Sequence, residues 1–254
     1  MLNTLLKPLP GLLVELIISW LLVWLIEKRN LGVLGLFPTK KRIGDSILFL
    51  IITAFCCSTG FLIRMIFAHE EWELNPAIST ALIVKGAWWN LTSVLYEELI
   101  FRGVVLYILI RRLGVWKGII LSSIAFGIYH WFSFNQLGNF LQMTITFFTT
   151  GIFGLLLAYA YYRTSSLYVP IAIHFGWNFT HGFLFSQGPI GNGIFIPVSA
   201  QPQVTISYFA FYCIMLLPII ATLLLDYLLL RRQPVHLQVL KKESPIYLHQ
   251  ENYK

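Results

Sequence analysis

The 254-residue chain is 57% hydrophobic and only 11% charged, against roughly 25% charged residues in soluble globular domains. This excludes a water-soluble globular domain and points to an integral membrane protein. The basic excess, 18 cations against 11 anions for a net charge of +7, does not indicate nucleic acid as a partner: the cations gather at the edges of apolar segments, and no zinc-finger spacing, phosphate-cradling glycine loop or basic helix accompanies them.

Seven apolar segments follow one another along the chain, over residues 12–26, 43–67, 81–110, 116–137, 140–162, 168–185 and 204–230. A spanning helix needs about 20 residues at about 1.5 Å of rise each, so the first is short and suits either a tilted or a re-entrant helix. Glu15 interrupts it and no small-residue cleavage site follows Ile26, which favours a retained helix over a signal peptide. The fold class expected is an all-α polytopic membrane bundle of about seven transmembrane helices. One domain fills 1–232, its motif core at about 91–181, and a short tail follows over 233–254.

Charge orients the bundle. Lys28 and Arg29, Lys40 to Arg42, Arg111, Arg112 and Lys117, Arg163, and Arg231 with Arg232 all fall between or just after segments. If seven segments cross, every one of these clusters lands on one face, which the positive-inside bias makes cytoplasmic. The N-terminus is then outside and the C-terminus cytoplasmic, with membrane lipids as partners of the outer surface. The acidic loop His69, Glu70, Glu71 and Glu73, and the Gly/Pro-rich linker over 188–202, fall on the opposite face. Arg64 and Lys85 sit near outer segment ends, where long side chains snorkel to water. Cys56, Cys57 and Cys213 form no ligand or disulfide pattern and read as buried free thiols. The apolar outer faces look alike whether they meet lipid or another subunit, so the sequence does not decide oligomeric state.

Ionisable groups inside an apolar segment are expensive and mark function. Glu97, Glu98 and Arg102 lie in the third segment, His130 in the fourth, His174 and Asn178 in the sixth. Measured from the nearest basic edge, Glu97 is 14 residues from Arg111, His130 is 13 from Lys117, and His174 and Asn178 are 11 and 15 from Arg163. These positions share a level about 16 to 22 Å from that edge, so polar groups from three helices converge. Adjacent helical residues point about 100° apart, which lets Glu97 face a cavity while Glu98 faces a neighbouring helix. Glu98 and Arg102, four apart, suit an ion pair. Phe126 lies one turn before His130, and Gly176 leaves room for close approach between His174 and Asn178. The chemistry that needs such groups is water activation beside a polarised carbonyl: Glu97 and His130 hold and deprotonate water, and His174 with Asn178 stabilise the oxyanion. Ser93, a turn before Glu97, reads as a hydroxyl bonded to its own helix. Trp177 points elsewhere, Trp131 and Phe132 are candidates for the substrate path, and His181 sits at or behind the site's edge.

Residues 97–102 read EELIFR, 126–130 read FGIYH and 174–178 read HFGWN. The ordered set EExxxR, FxxxH and HxxxN resembles the family of CAAX proteases and bacteriocin-processing enzymes, close to the type II CAAX prenyl endopeptidases, over about 91–181. The resemblance implies intramembrane hydrolysis of a peptide bond in a peptide or membrane-protein substrate, by a multi-pass protein of a bacterial plasma membrane. It assigns catalysis to Glu97, His130, His174 and Asn178, with Glu98, Arg102 and Phe126 supporting. It favours a metal-free reaction without cofactor; the alternative is a zinc ion on Glu97, His130 and His174, since catalytic zinc takes three protein ligands and an open position. Two other readings stand beside it: a transporter with a buried Glu/His proton relay, and a non-enzymatic bacteriocin immunity protein.

Overall fold

A computed structural model describes residues 8–199 and 204–234; beyond residue 234 the expected tail lies outside the described residues. The helices are α1 Leu9–Glu27, α2 Lys40–Phe67, α3 Thr80–Glu98, α4 Leu106–Leu113, α5 Val115–Ser133, α6 Phe140–Thr164, α7 Tyr168–Phe179 and α8 Tyr208–Arg232. Several starts are fixed by short polar side chains. Thr39, Ser79, Asn139 and Ser207 each accept a hydrogen bond from the backbone amide three residues on, which satisfies a donor that a helix N-terminus leaves open. The α4–α5 reversal is made by Gly114 alone, at φ 90°, a conformation that favours glycine.

Four helices, α1, α2, α6 and α8, are each long and apolar enough to cross a bilayer. Their outer faces present Leu13, Phe55, Phe148 and Leu224, among many others, to the surroundings; an apolar exterior of this extent suits lipid. The helices that carry the site, α3, α5 and α7, are not among the four: α7 has only 12 residues before its π turn, and polar residues lower the hydropathy of α3 and α5. The segment expected as one helix over 81–110 is also broken. After Glu98 the chain widens into a π turn, Leu99–Val105, inside which Gly103 leaves helical geometry (φ −77°, ψ −107°). The sixth segment likewise ends in a π turn, Thr180–Leu184. Hydrophobic periodicity does not report such widenings, which insert an extra residue without changing composition.

The basic clusters meet at one end of the bundle. Glu27 at the end of α1 pairs with Arg111 (2.6 Å) and Arg112 (3.0 Å) at the end of α4. Lys41 at the start of α2 bonds Asp45 and Gln233, and Arg163 at the end of α6 donates to the carbonyls of Leu230, Arg231 and Gln233 at the end of α8, the helix terminus where a cation is favoured. The glycine-rich stretch after α1 forms a short 3₁₀ helix, Leu31–Leu34, packed near Ser165 and Ser166.

At the opposite end the acidic loop and the Gly/Pro-rich linker are not simple loops. Trp72–Leu74 (β1) and Phe195–Pro197 (β2) pair antiparallel. Each strand has three residues and its partner lies far along the chain, so neither shows the alternation by which a strand is read from sequence. Arg64 bonds Glu70 in this region, while Lys85 is exposed. Of the three thiols, Cys56 and Cys57 are buried; Cys213 is only partly so.

Candidate active site

Glu97 and Glu98 close α3, and the π turn after them fixes where Arg102 and the next helix go. One freed carbonyl, that of Phe101, accepts a hydrogen bond from Ser122 Oγ of α5 at 2.7 Å. That bond ties the turn to the helix bearing His130.

The adjacent carboxylates diverge. Glu98 is fully buried and its Oε1 lies 2.8 Å from His174 Nδ1 of α7 and 3.3 Å from Arg102 Nη1. The Arg102 contact is close enough for an ion pair, but no guanidinium nitrogen is aligned in a hydrogen bond. The guanidinium instead lies 3.8 Å from the centroid of the Phe126 ring, a cation–π contact that offsets part of the cost of burying the charge. Gly154 of α6 leaves the space: a Cβ there would sit 3.1 Å from Phe126 and 3.3 Å from Arg102.

Glu97 turns toward the two histidines. Its Oε2 is 3.8 Å from His130 Nε2 and 3.7 Å from His174 Nε2. His130 Nδ1 lies 2.8 Å from the Phe126 carbonyl, and a carbonyl only accepts, so the proton belongs on Nδ1 and the Nε2 of a neutral ring carries a lone pair. Phe126 packs against the same imidazole, ring centroids 4.5 Å apart. Gly176 does give room for close approach, and α2 takes it: a Cβ at Gly176 would meet Leu50 O at 3.0 Å and Thr53 at 3.3 Å. Thr53 is held from behind by Asp226 of α8 at 2.8 Å.

Glu97, His130, His174 and Asn178 all line one cavity of about 470 Å³, within the range of small-molecule and substrate sites. Glu98 and Arg102 lie behind its wall. Several lining residues were not read as site residues. Trp177 and His181 border the cavity, whereas Phe132 points outward and Trp131 bonds Met143 O. Asn90 and Ser93 also line it. With Glu97 they form a polar stripe at three- and four-residue spacing on one helix face, a signal legible in the sequence. Gln187, from the linker after α7, carried none.

A zinc ion on Glu97, His130 and His174 would need its ligands drawn to about 2.0–2.2 Å from a common point. Among the described residues no three His, Cys, Asp or Glu side chains are grouped so as to hold a metal. As placed, the three donors do not fit the ion.

The family model described as type II CAAX prenyl endopeptidase Rce1-like matches residues 79–180, which run from the start of α3 through α7 and include every residue of the three motifs. Over these residues the chain is similar to the CAAX protease family. Neither a curated protein nor a solved structure matches the chain. The similarity to this protease family, with the four helices long and apolar enough to span a bilayer, points to a membrane protein.

Proposed function

We propose that the chain is an intramembrane endopeptidase that hydrolyses a peptide bond with water activated by Glu97 and His130. The observation that carries this reading is the approach of one Glu97 oxygen to both imidazole Nε2 atoms, at 3.8 and 3.7 Å, inside a cavity that Asn178 also lines. A water between Glu97 and His130 donates one hydrogen to the His130 lone pair and loses the other to Glu97 as its oxygen adds to the substrate carbonyl. The oxyanion takes hydrogen bonds from the Asn178 amide and from His174 Nε2–H. Glu97 then passes its proton to the amide nitrogen, the C–N bond breaks, and an acid and an amine leave.

In this step His174 donates from Nε2 while Nδ1 faces Glu98 at 2.8 Å, so the reaction calls for a ring with a proton on each nitrogen. The buried set is then balanced: two carboxylates, Glu97 and Glu98, against Arg102 and His174. A balanced set tolerates low dielectric where an unpaired charge does not.

Seven crossings, with the N-terminus outside and the basic end in the cytoplasm of a bacterial plasma membrane, complete the proposal. The convergence of the basic clusters at one end supports this orientation. The substrate is a peptide or a membrane-protein segment, of which the prenylated CAAX terminus named in the family description is one example. Cleavage of a peptide library by the purified protein tests the reading: wild type cuts, and Glu97→Gln is folded but inactive. A Glu97→Gln protein that still cuts overturns the assignment. Absence of cleavage by wild type in any condition moves the reading to a proton-relay transporter or an immunity protein.

A further inference from the structure

The cavity extends in one direction only. From Glu97 it runs back along α3 to Ser93 and Asn90, and from His130 forward along α5 to Phe134. From His174 it runs forward along α7 to His181, and its far boundary is formed by residues 187–190. Since α3 runs toward the basic end, and α5 and α7 run away from it, each of these steps leads away from that end. On the basic side the site is sealed. Arg102 is fully buried and Phe126 is 1% exposed, one stacked on the other, and α6 closes over both at Gly154.

The boundary segment belongs structurally to the end opposite the basic clusters. The backbone amides of Gln187 and Gly188 donate to the carbonyls of His181 and Gly182, folding the chain back against the π turn after α7. The chain then returns to Asn75, whose side chain donates to Gly193 O at 2.8 Å and whose backbone amide donates to Ile194 O at 2.9 Å, before β2 joins β1. Gln187 is exposed, so the mouth of the cavity lies beside this strap.

We infer that substrate reaches Glu97 from the face of the membrane opposite the basic clusters, so that the enzyme acts on peptide segments displayed on the extracytoplasmic side rather than on cytoplasmic tails. The inference rests on the protease reading above and narrows its substrate class. A cytoplasmic C-terminus would have to pass the buried Arg102–Phe126 floor to reach Glu97. An extracytoplasmic segment of a secreted peptide or membrane protein meets the open end directly, and Asn178 and Gln187, which line it, offer amides to an extended backbone.

Sealed vesicles of both orientations test this. In a Cys213→Ser background, which leaves only the buried Cys56 and Cys57 as natural thiols, a cysteine is placed at the mouth (Gln187→Cys, and separately Ile190→Cys) and, as a control, at the exposed basic end (Lys117→Cys). A membrane-impermeant maleimide is expected to label the mouth cysteines in right-side-out vesicles and Lys117→Cys only in inverted ones. Membrane-impermeant library peptides are expected to be cut by wild-type right-side-out vesicles and by inverted vesicles only after detergent is added. Mouth labelling and cleavage confined to inverted vesicles overturn the inference. Absence of cleavage even in detergent overturns the protease reading and the substrate class with it, while the labelling still decides which face the cavity opens to.

Discussion

His174 Nδ1 and Glu98 Oε1 lie 2.8 Å apart, so the carboxylate that pairs with Arg102 also fixes the ring proposed to stabilise the oxyanion. Glu98 therefore acts through His174 as a positioning residue as well as a countercharge. Glu98→Gln keeps the shape but removes the carboxylate that faces both Arg102 and His174. Its kcat is expected to fall by about 10²-fold or more, the scale of losing one oxyanion donor, with KM little changed. Glu98→Ala leaves Arg102 buried without its partner, at a cost of about 3–5 kcal/mol. Thermal unfolding in detergent should show that loss, and Glu98→Ala with Arg102→Met should recover stability without recovering cleavage.

Asn178 lines the cavity and is half-buried. Asn178→Ala is expected to retain wild-type stability and to lose about 10²- to 10³-fold in kcat, as for other side-chain oxyanion donors. Steady-state kinetics on a library-derived peptide separates this from a binding role, which would appear in KM.

Much of this site was legible because depth in a bilayer is a ruler. Glu97, His130, His174 and Asn178 could be aligned by counting from cationic edges, and the structure brings the four to one cavity. What could not be counted was direction around each helix. The bond between Glu98 and His174 joins α3 to α7, and no residue spacing encodes a contact between helices. The π turn after Glu98 was hidden for a related reason: an apolar run of constant composition looks the same whether its turns hold 3.6 residues or more. Gln187 lay in a linker whose path depends on the pairing of two three-residue strands, which has no local signature.

The contact of α7 with α2 gives a test of geometry at a distance from the chemistry. A Cβ at Gly176 would stand 3.0 Å from Leu50 O, so Gly176→Ala must push α7 off α2 by a few tenths of an ångström, at a cost of about 1–3 kcal/mol. Both flanking residues, His174 and Asn178, move with it, and kcat is expected to fall by about tenfold or more because small misplacements of reacting groups are costly. Gly151→Ala is the control. Its added methyl group meets Ser123 O at an ordinary 3.7 Å, and stability and cleavage should match wild type or exceed it, since alanine favours a helix over glycine.

Metal dependence is decided by what the two imidazoles have left to offer. Both Nδ1 atoms are engaged, by Phe126 O and by Glu98, so only the Nε2 atoms face Glu97, at 3.8 and 3.7 Å. The two Nε2 atoms and the carboxylate are also the atoms that zinc would take. In the proposed reaction they do different work, His130 accepting from water and His174 donating from a second proton, and a metal would displace that proton because it binds the neutral ring. The two mechanisms therefore make opposite predictions. Prolonged treatment with a strong chelator is expected to leave the cleavage rate unchanged, and elemental analysis of the active protein to find no stoichiometric zinc. Loss of activity on chelation, restored by added zinc, would require Glu97, His130 and His174 to move together around the ion, and would replace the water-activating pair with a metal-bound nucleophile.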